Sequence, residues 1–402
     1  METQEKIKRA QTELQIHDID GWLLYDFQGT NSLSLHFLMI SPTLHTTRRL
    51  FYFIPQKGNP LKIVHQIESH LLDHLPGEKK IYSNWRELHA HLKAAVSGKS
   101  RIAMEYSPNQ AIPAVSKVDG GLIELLRSFG VVIVSSALFL QIFTCVWNKQ
   151  QYDSHKEGAI FLDATVFLAW DFIREGIKNR KKLTEYDVQQ LILNEFKKNN
   201  YITEGEPICG VNAHSADPHY APRESNSYEI KKGDFVLIDL WAKKNISSGV
   251  FADITRVAVV DEYPSEKQQM IFSFVRKAQK AATEFIQERY KNKQEVKGCE
   301  VDKICRDVIE KAGYGKFFPH RTGHNINTEV HGPGANIDSL ETEDDRPLIP
   351  GTCFSIEPGI YLPGEFGVRL EYDLFIHPTG EVEITAPPQE KIQCLLYEKE
   401  FL

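Results

Sequence analysis

The stretch that decides the fold runs from Pro319 to Asp373. It begins P-H-R-T-G-H-N-I-N-T-E-V-H over Pro319–His331 and, past a loop, continues F-S-I-E-P-G-I-Y-L-P-G-E-F-G-V-R-L-E-Y-D over Phe354–Asp373. Three histidines, His320, His324 and His331, precede two carboxylates, Glu357 and Glu371, which lie symmetrically about Gly364 within Leu362-Pro363-Gly364-Glu365-Phe366-Gly367. A β-hairpin centred there sets the two glutamates opposite each other on neighbouring strands, with both side chains on one face.

A second pair upstream obeys the same arithmetic. Asp239 and Asp253 are centred on Ile246, in the turn-like run Lys243–Gly249, with Phe235-Val236-Leu237-Ile238 before it and Val250-Phe251, Ile254 and Val257–Val260 around and after Asp253. Two hairpins with one acid per arm suggest an internal structural echo. Taken singly, each acid reads as a solvated strand or turn residue. Together, two carboxylates at about 4 Å repel by roughly 1 kcal/mol in water and roughly 4 kcal/mol at an effective dielectric of 20. Such a cluster needs protons or cations. Carboxylates with one imidazole suit Mn, Fe, Co or Zn better than an all-oxygen Ca or Mg cage. A two-metal site of this kind can generate a hydroxide nucleophile and polarise a carbonyl.

The motifs D-F-V-L-I-D (234–239), A-D-I-T-R (252–256), H-R-T-G-H (320–324) with His331 downstream, S-I-E-P-G-I-Y (355–361) and G-V-R-L-E-Y-D (367–373) resemble, in order, those of the pita-bread metallopeptidases. The closest branch is the Xaa-Pro aminopeptidases and Xaa-Pro dipeptidases (prolidases). The resemblance spans roughly His219 to Asp373. It implies Asp239, Asp253, His324, Glu357 and Glu371 as ligands of two divalent ions. Manganese is the first expectation, with cobalt, iron or zinc as alternatives. It also implies His219, His320 and His331 as substrate and transition-state contacts, Arg369 as a supporting and substrate-side group, and Glu357 as both ligand and proton shuttle. The expected activity is hydrolysis of the Xaa-Pro bond in dipeptides or at peptide N-termini, by a metal-bridging hydroxide, in a homodimer. Two departures stand out: extra residues from Lys243 to Ser248 in the first turn, and Asn327 where the family has glycine, a change that could reshape the cleft. The alternatives are a non-catalytic binding module on the same fold, which would be expected to have lost ligands, and a hydrolase of another small amide.

Bulk properties agree with a two-domain enzyme. A chain of 402 residues is long for one domain. Its composition, 42% hydrophobic and 25% charged, is that of a globular protein, and a net charge of -7 gives no reason to expect nucleic acid or an anionic membrane as partner. The polar start Met1–Lys6 does not read as a signal peptide, and the apolar run Val131–Val146 is too short and too polar to span a membrane. Six scattered cysteines without a C-x-x-C pair read as free thiols, so a cytoplasmic location is expected.

The N-terminal part alternates strands (22–25, 50–55, 61–65, 101–106, 131–135) with helices (3–16, 85–96, 121–129), which predicts an α/β domain over residues 1–148. Its isolated His36, His45 and His65 read as structural. Residues 149–402 read as an α+β catalytic domain of pita-bread type. A long helix is expected over about 152–177, with Ile160, Phe161, Ala164, Phe167, Leu168 and Phe172 as its core-facing stripe. Thr184 caps a helix to about Lys198, Ser265 one to about Tyr290, and a helix over 300–312 stops at Gly313. Pro319 and Gly323 argue for an extended or irregular segment, rather than a helix, through His320 and His324. His214 and His219 sit in a loop before the first metal strand; His219 is the stronger candidate for a substrate contact, and His214 the weaker. No P-loop and no G-x-G-x-x-G supports nucleotide chemistry.

Overall fold

The computed structural model describes residues 3–41, 44 and 46–397; His45 lies outside them. The chain divides into two compact units, one up to Thr144 and one from Cys145 onward.

The first unit contains α1 (Thr3–Ile16), β1 (Gly21–Asp26), α2 (Ser32–Leu38), β2 (Leu50–Pro55), β3 (Leu61–His65), β4 (Glu78–Tyr82), α3 (Trp85–Val96), β5 (Arg101–Met104), α4 (Gly120–Ser128), β6 (Val132–Ser135) and α5 (Ala137–Thr144). The strands form one six-stranded sheet in the order β4-β3-β2-β1-β5-β6, with only β2 antiparallel to its neighbours. Asn84 and Asp119 cap α3 and α4 by accepting backbone N–H groups. Each sheet face packs a separate core, one around Trp22, Tyr52 and Phe139, the other around Phe51, Leu88 and Ile102. Glu105 is fully buried, and its carboxylate accepts from the Trp22 indole at 2.7 Å, Ser34 at 2.7 Å, Asn31 at 3.0 Å and Ser136 at 3.1 Å. His65 caps a short helical turn through Ile67 N–H, a structural role. The run Val131–Val146 resolves into β6 and α5, and no helix among the described residues is long and apolar enough to cross a membrane.

The second unit opens with α6 (Lys149–Lys178), α7 (Glu185–Lys198), β7 (Tyr201–Ile202) and β8 (Ile208–Val211). The hairpin β9 (Phe235–Lys244) and β10 (Ala252–Val259) follows, then α8 (Glu266–Lys291) and α9 (Gly298–Lys311). The C-terminal part holds β11 (Asn325–Ile326), β12 (Cys353–Ile356), β13 (Gly359–Leu362), β14 (Phe366–Arg369), β15 (Tyr372–Ile376), β16 (Val382–Ile384) and β17 (Gln393–Cys394). Two sheets carry the architecture, one ordered β17-β10-β9-β7 with β8 also on β9, the other β11-β12-β15-β16, beside the β13-β14 ribbon. This unit is α+β and the first is α/β, as the sequence predicts.

The local signals act as expected. Thr184 and Ser265 form capping boxes at α7 and α8, and Gly313 follows α9 with φ +85°. None of the six cysteines, all among the described residues, forms a disulfide. The stripe assigned to α6 needs correction. Ile160 is 65% exposed, Phe167 55% and Leu168 40%, and Ala164 lies on the same outer face. The core-facing residues are Leu162, Val166, Ala169, Trp170 and Ile173, spaced at three to four residues. Only Phe161 and Phe172 of the expected set reach that core, Phe161 stacking on Tyr201 at 4.0 Å. Both faces of this helix are apolar enough to pass for the inner one; the buried one runs from Gly158 and Ala159 to Ile173.

Candidate active site

Hairpin register places the acids. In β13–β14, Gly359 pairs with Arg369 and Leu362 with Phe366, so the turn is centred on Gly364, whose φ is +78°. The outer strands continue the register with Ile356 opposite Tyr372. Glu357 and Glu371 therefore face each other where the ribbon meets the sheet. The upstream hairpin is centred one residue later than its aspartates suggest. Asp253 pairs with Trp241 and Asp239 with Thr255, so Asp239 and Asp253 are diagonal neighbours on one face rather than direct partners. The hairpins join where Glu371 N–H donates to Thr255 O at 3.4 Å and Asp253 N–H to Asp373 Oδ2 at 2.8 Å.

His320–His324 is irregular rather than helical, and Gly323 bridges to Ile337 before the chain enters β11. Asp239, Asp253, His324, Glu357 and Glu371 all line one cavity of about 470 Å³, together with His219, His320, His331 and Arg369. The five expected ligands and four of the expected substrate-side residues thus line the same cavity. His214 does not; its Nδ1 sits 2.9 Å from buried Glu185, and its ring is stacked between Tyr220 and Tyr228. Glu185 also accepts from Val211 N–H, Tyr220 OH and Tyr228 N–H, which ties α7 to the loop carrying His219. Asn327 does not line the cavity either. Its Oδ1 accepts from the Trp147 indole at 3.3 Å, and its carbonyl accepts from Phe251 N–H at 2.9 Å.

The donor set fits divalent cations. Ligand atoms of Asp253, His324 and Glu371 lie within 4.8 Å of one another, and all three residues are buried. His324 Nδ1 donates to Asn325 O at 3.4 Å, which directs the lone pair of Nε2 at Glu357 Oε1, 3.3 Å away, and Asp253 Oδ2, 3.8 Å away. Burial, with His331 and Arg321 nearby, holds this imidazole well below the usual histidine range and hence neutral. A lone pair facing carboxylate oxygens is repulsive unless a cation lies between them. Asp253 Oδ1 is buried with no hydrogen-bond partner, a costly arrangement that a metal bond resolves. Burial, then repulsion from Glu371 and Asp239, pushes the Asp253 carboxyl well up, and burial with Glu357 and Asp239 does the same to Glu371. Burial raises Glu357 to about 7 against the pull of Arg369 and Arg321.

Residues around the acids fix their orientation. Arg369 donates through Nη2 to Asp239, through Nη1 to the Tyr361 hydroxyl at 2.8 Å and through Nε to Thr255 Oγ1 at 3.2 Å. Thr255 donates to Glu371 Oε2 at 2.6 Å and Ser355 to Glu357 Oε1 at 3.1 Å. His320 Nδ1 donates to Arg321 O at 2.7 Å, so Nε2 accepts from Tyr361 OH, also at 2.7 Å. Both ring nitrogens of His320 are therefore engaged within the protein. Sequence reasoning missed Thr255, Ser355, Tyr361 and Arg321. Strand parity was the available signal for two of them: Thr255 is two residues past Asp253, and Ser355 two before Glu357.

Comparisons with known proteins bear on the family and the fold. Residues 156–378, more than half of the chain, match the profile of metallopeptidase family M24. The chain is 33% identical over 265 residues to a putative dipeptidase, YkvY, of Bacillus subtilis, the match covering 65% of this chain and 66% of the relative's length. The fold is similar to that of dipeptidase PepE from Mycobacterium ulcerans, with a TM-score of 0.71 at 21% identity over 98% of both chains. It is also similar to that of an Xaa-Pro dipeptidase from Bacillus anthracis, with a TM-score of 0.65 at 22% identity over 98% of this chain and 100% of that one. The profile match over more than half of the chain, with the fold beside it, leads to one conclusion: the chain belongs to metallopeptidase family M24.

Proposed function

We propose that the protein is a dinuclear-metal-dependent exopeptidase that hydrolyses the Xaa-Pro bond, with free dipeptides as its first substrate class. The observation that carries the reading is the buried convergence of Asp239, Asp253, His324, Glu357 and Glu371 around a carboxylate oxygen of Asp253 without a protein partner. When bound, two divalent cations supply a nucleophilic hydroxide at neutral pH and polarise the scissile carbonyl. The five side chains hold them. Glu357 also takes the proton of the attacking water and returns it to the leaving nitrogen. His331 is held down to about 4 by burial, Arg321 and His219, so at pH 7 it is a neutral imidazole able to donate to the developing oxyanion. His219, on the same cavity wall, is the second substrate contact. His320 acts through Tyr361 and Arg369, whose hydrogen bonds run on to Asp239 and Thr255, and so keeps the acids in place.

An Xaa-Pro amide has no N–H on the proline and a fixed φ, so a site for it needs no acceptor at that nitrogen. A cavity of about 470 Å³ suits a ligand of dipeptide size. The names of the B. subtilis, M. ulcerans and B. anthracis relatives, all dipeptidases, support the same class. Manganese as native ion, a homodimer, a cytoplasmic location and the division into residues 1–148 and 149–402 belong to this reading. The test is hydrolysis of Ala-Pro and of Ala-Pro-Yaa-Yaa by chelated protein with and without Mn²⁺. Manganese-dependent cleavage of the dipeptide supports the reading. Cleavage of neither peptide by protein loaded with two ions refutes it.

A further inference from the structure

The cavity has two cations in its wall, and the structure uses them differently. All three donor nitrogens of Arg369 are engaged, with Asp239, Tyr361 and Thr255 among their acceptors. Arg321, between His320 and Thr322, is half-buried, and among the described residues its guanidinium makes no hydrogen bond and has no carboxylate within 4.0 Å. It is nevertheless close enough to act electrostatically on Glu357, His324 and His331. The cavity thus contains a planar two-pronged donor beside the reacting groups, with no protein carboxylate to receive it.

Given the peptidase reading above, on which this step rests, we propose that Arg321 receives the C-terminal carboxylate of the substrate and so makes the enzyme a reader of free dipeptides. In an Xaa-Pro dipeptide that carboxylate is three bonds beyond the scissile carbonyl carbon. It therefore enters the same cavity as the reacting bond. There the charges of Asp239, Asp253, Glu357 and Glu371 are balanced by two divalent ions. The remaining acids in the wall, Glu204 and Glu341, repel a carboxylate, and Glu204 already accepts from Val330 N–H at 3.1 Å. Arg321 is the cavity's counter-charge, and its fork matches a carboxylate bidentately. A longer peptide presents a neutral amide at that place and leaves the guanidinium without a counter-ion.

The experiment compares each acid with its amide on the manganese-loaded enzyme: kcat/KM for Ala-Pro against Ala-Pro-NH₂, and calorimetric binding of the non-hydrolysable reduced-amide isostere of Ala-Pro against its C-terminal amide. Wild type should favour the acid by about tenfold or more, mainly through KM, as expected for a charge-assisted pair. Arg321→Met should bring the acid-to-amide ratio close to one, and Arg321→Lys should fall between. The ratio separates this role from a merely structural one, since a general loss of fold lowers both members together. A wild type without preference, or an unchanged ratio in Arg321→Met, overturns the proposal. Failure of the proline reading shows separately: an enzyme that cleaves Ala-Leu but not Ala-Pro refutes that reading, while the same ratio measured with Ala-Leu and Ala-Leu-NH₂ still tests Arg321.

Discussion

Gly323 lies between Thr322 and His324, one of the proposed ligands, and it is a glycine for reasons of space. A β-carbon there would stand 2.0 Å from Ser355 O, 2.8 Å from the carbonyl carbon and 3.2 Å from Oγ of the same residue. Carbon and oxygen need roughly 1 Å more than the first of these distances. Ser355 cannot yield it. It is paired with Asp373 on β15, donates its N–H to His324 O at 2.9 Å and accepts His324 N–H on Oγ at 3.0 Å. In Gly323→Ala the segment leading into β11 must move, and His324 moves with it. Overpacking against rigid backbone costs about 3 kcal/mol, the upper end of the usual range. For a unit of this size that lowers Tm by roughly 6–12 °C. A displaced ligand should also weaken manganese binding by about tenfold to a hundredfold. Scanning calorimetry of chelated protein and calorimetric manganese titration read the two effects. Gly364→Ala is the control: nothing lies within 4 Å of its β-carbon, so only the positive φ of +78° opposes it, at about 1 kcal/mol. A Gly323→Ala protein with wild-type Tm and manganese affinity would refute the steric account.

Three further outcomes follow from the same geometry. The raised carboxyls of Asp253, Glu357 and Glu371 bind protons more readily folded than unfolded, so the stability they contribute is present at low pH and lost as pH rises through their folded values, about 7 for Glu357. The Tm gap between manganese-loaded and chelated protein should therefore be wider at pH 8 than at pH 5.5; an equal gap contradicts it. Glu383 behaves oppositely: against burial, Lys156, Tyr152 and His377 hold it down to about 2, so its contribution is present above about 4.5 and lost as pH falls toward 2. Urea denaturation should show Glu383→Gln weaker than wild type at pH 7, with the difference shrinking toward pH 2. Asn327→Gly should cost about 1–2 kcal/mol of stability through the lost Trp147 bond, while the relative kcat/KM values for different dipeptides stay unchanged, because Asn327 lies off the cavity wall.

The candidate site was legible because the proposed metal ligation would impose both chemistry and spacing. Glu357 and Glu371 must sit across a hairpin, and a tight turn at Gly364 announces its own centre. The longer turn between Asp239 and Asp253 has no such marker, and its true register, one residue later, depends on β8 and β7 pairing along β9. Face choice on α6 could not be read because hydrophobicity alone does not separate its two apolar sides. Edge strand β4, Glu-Lys-Lys-Ile-Tyr, is exposed at four of five positions and carries no strand pattern. The roles of Thr255, Tyr361 and Arg369 depend on three strands meeting in space. A family motif marks such residues as present without showing to which partner each donates.

The central claim is that five side chains in this unit hold two divalent ions. The most direct test is metal content per chain, measured by elemental analysis after chelation, reconstitution with Mn²⁺ and removal of excess. The account predicts two ions in wild type and at most one in Asp253→Asn. One ion or none in folded wild type, or two in Asp253→Asn, would contradict it.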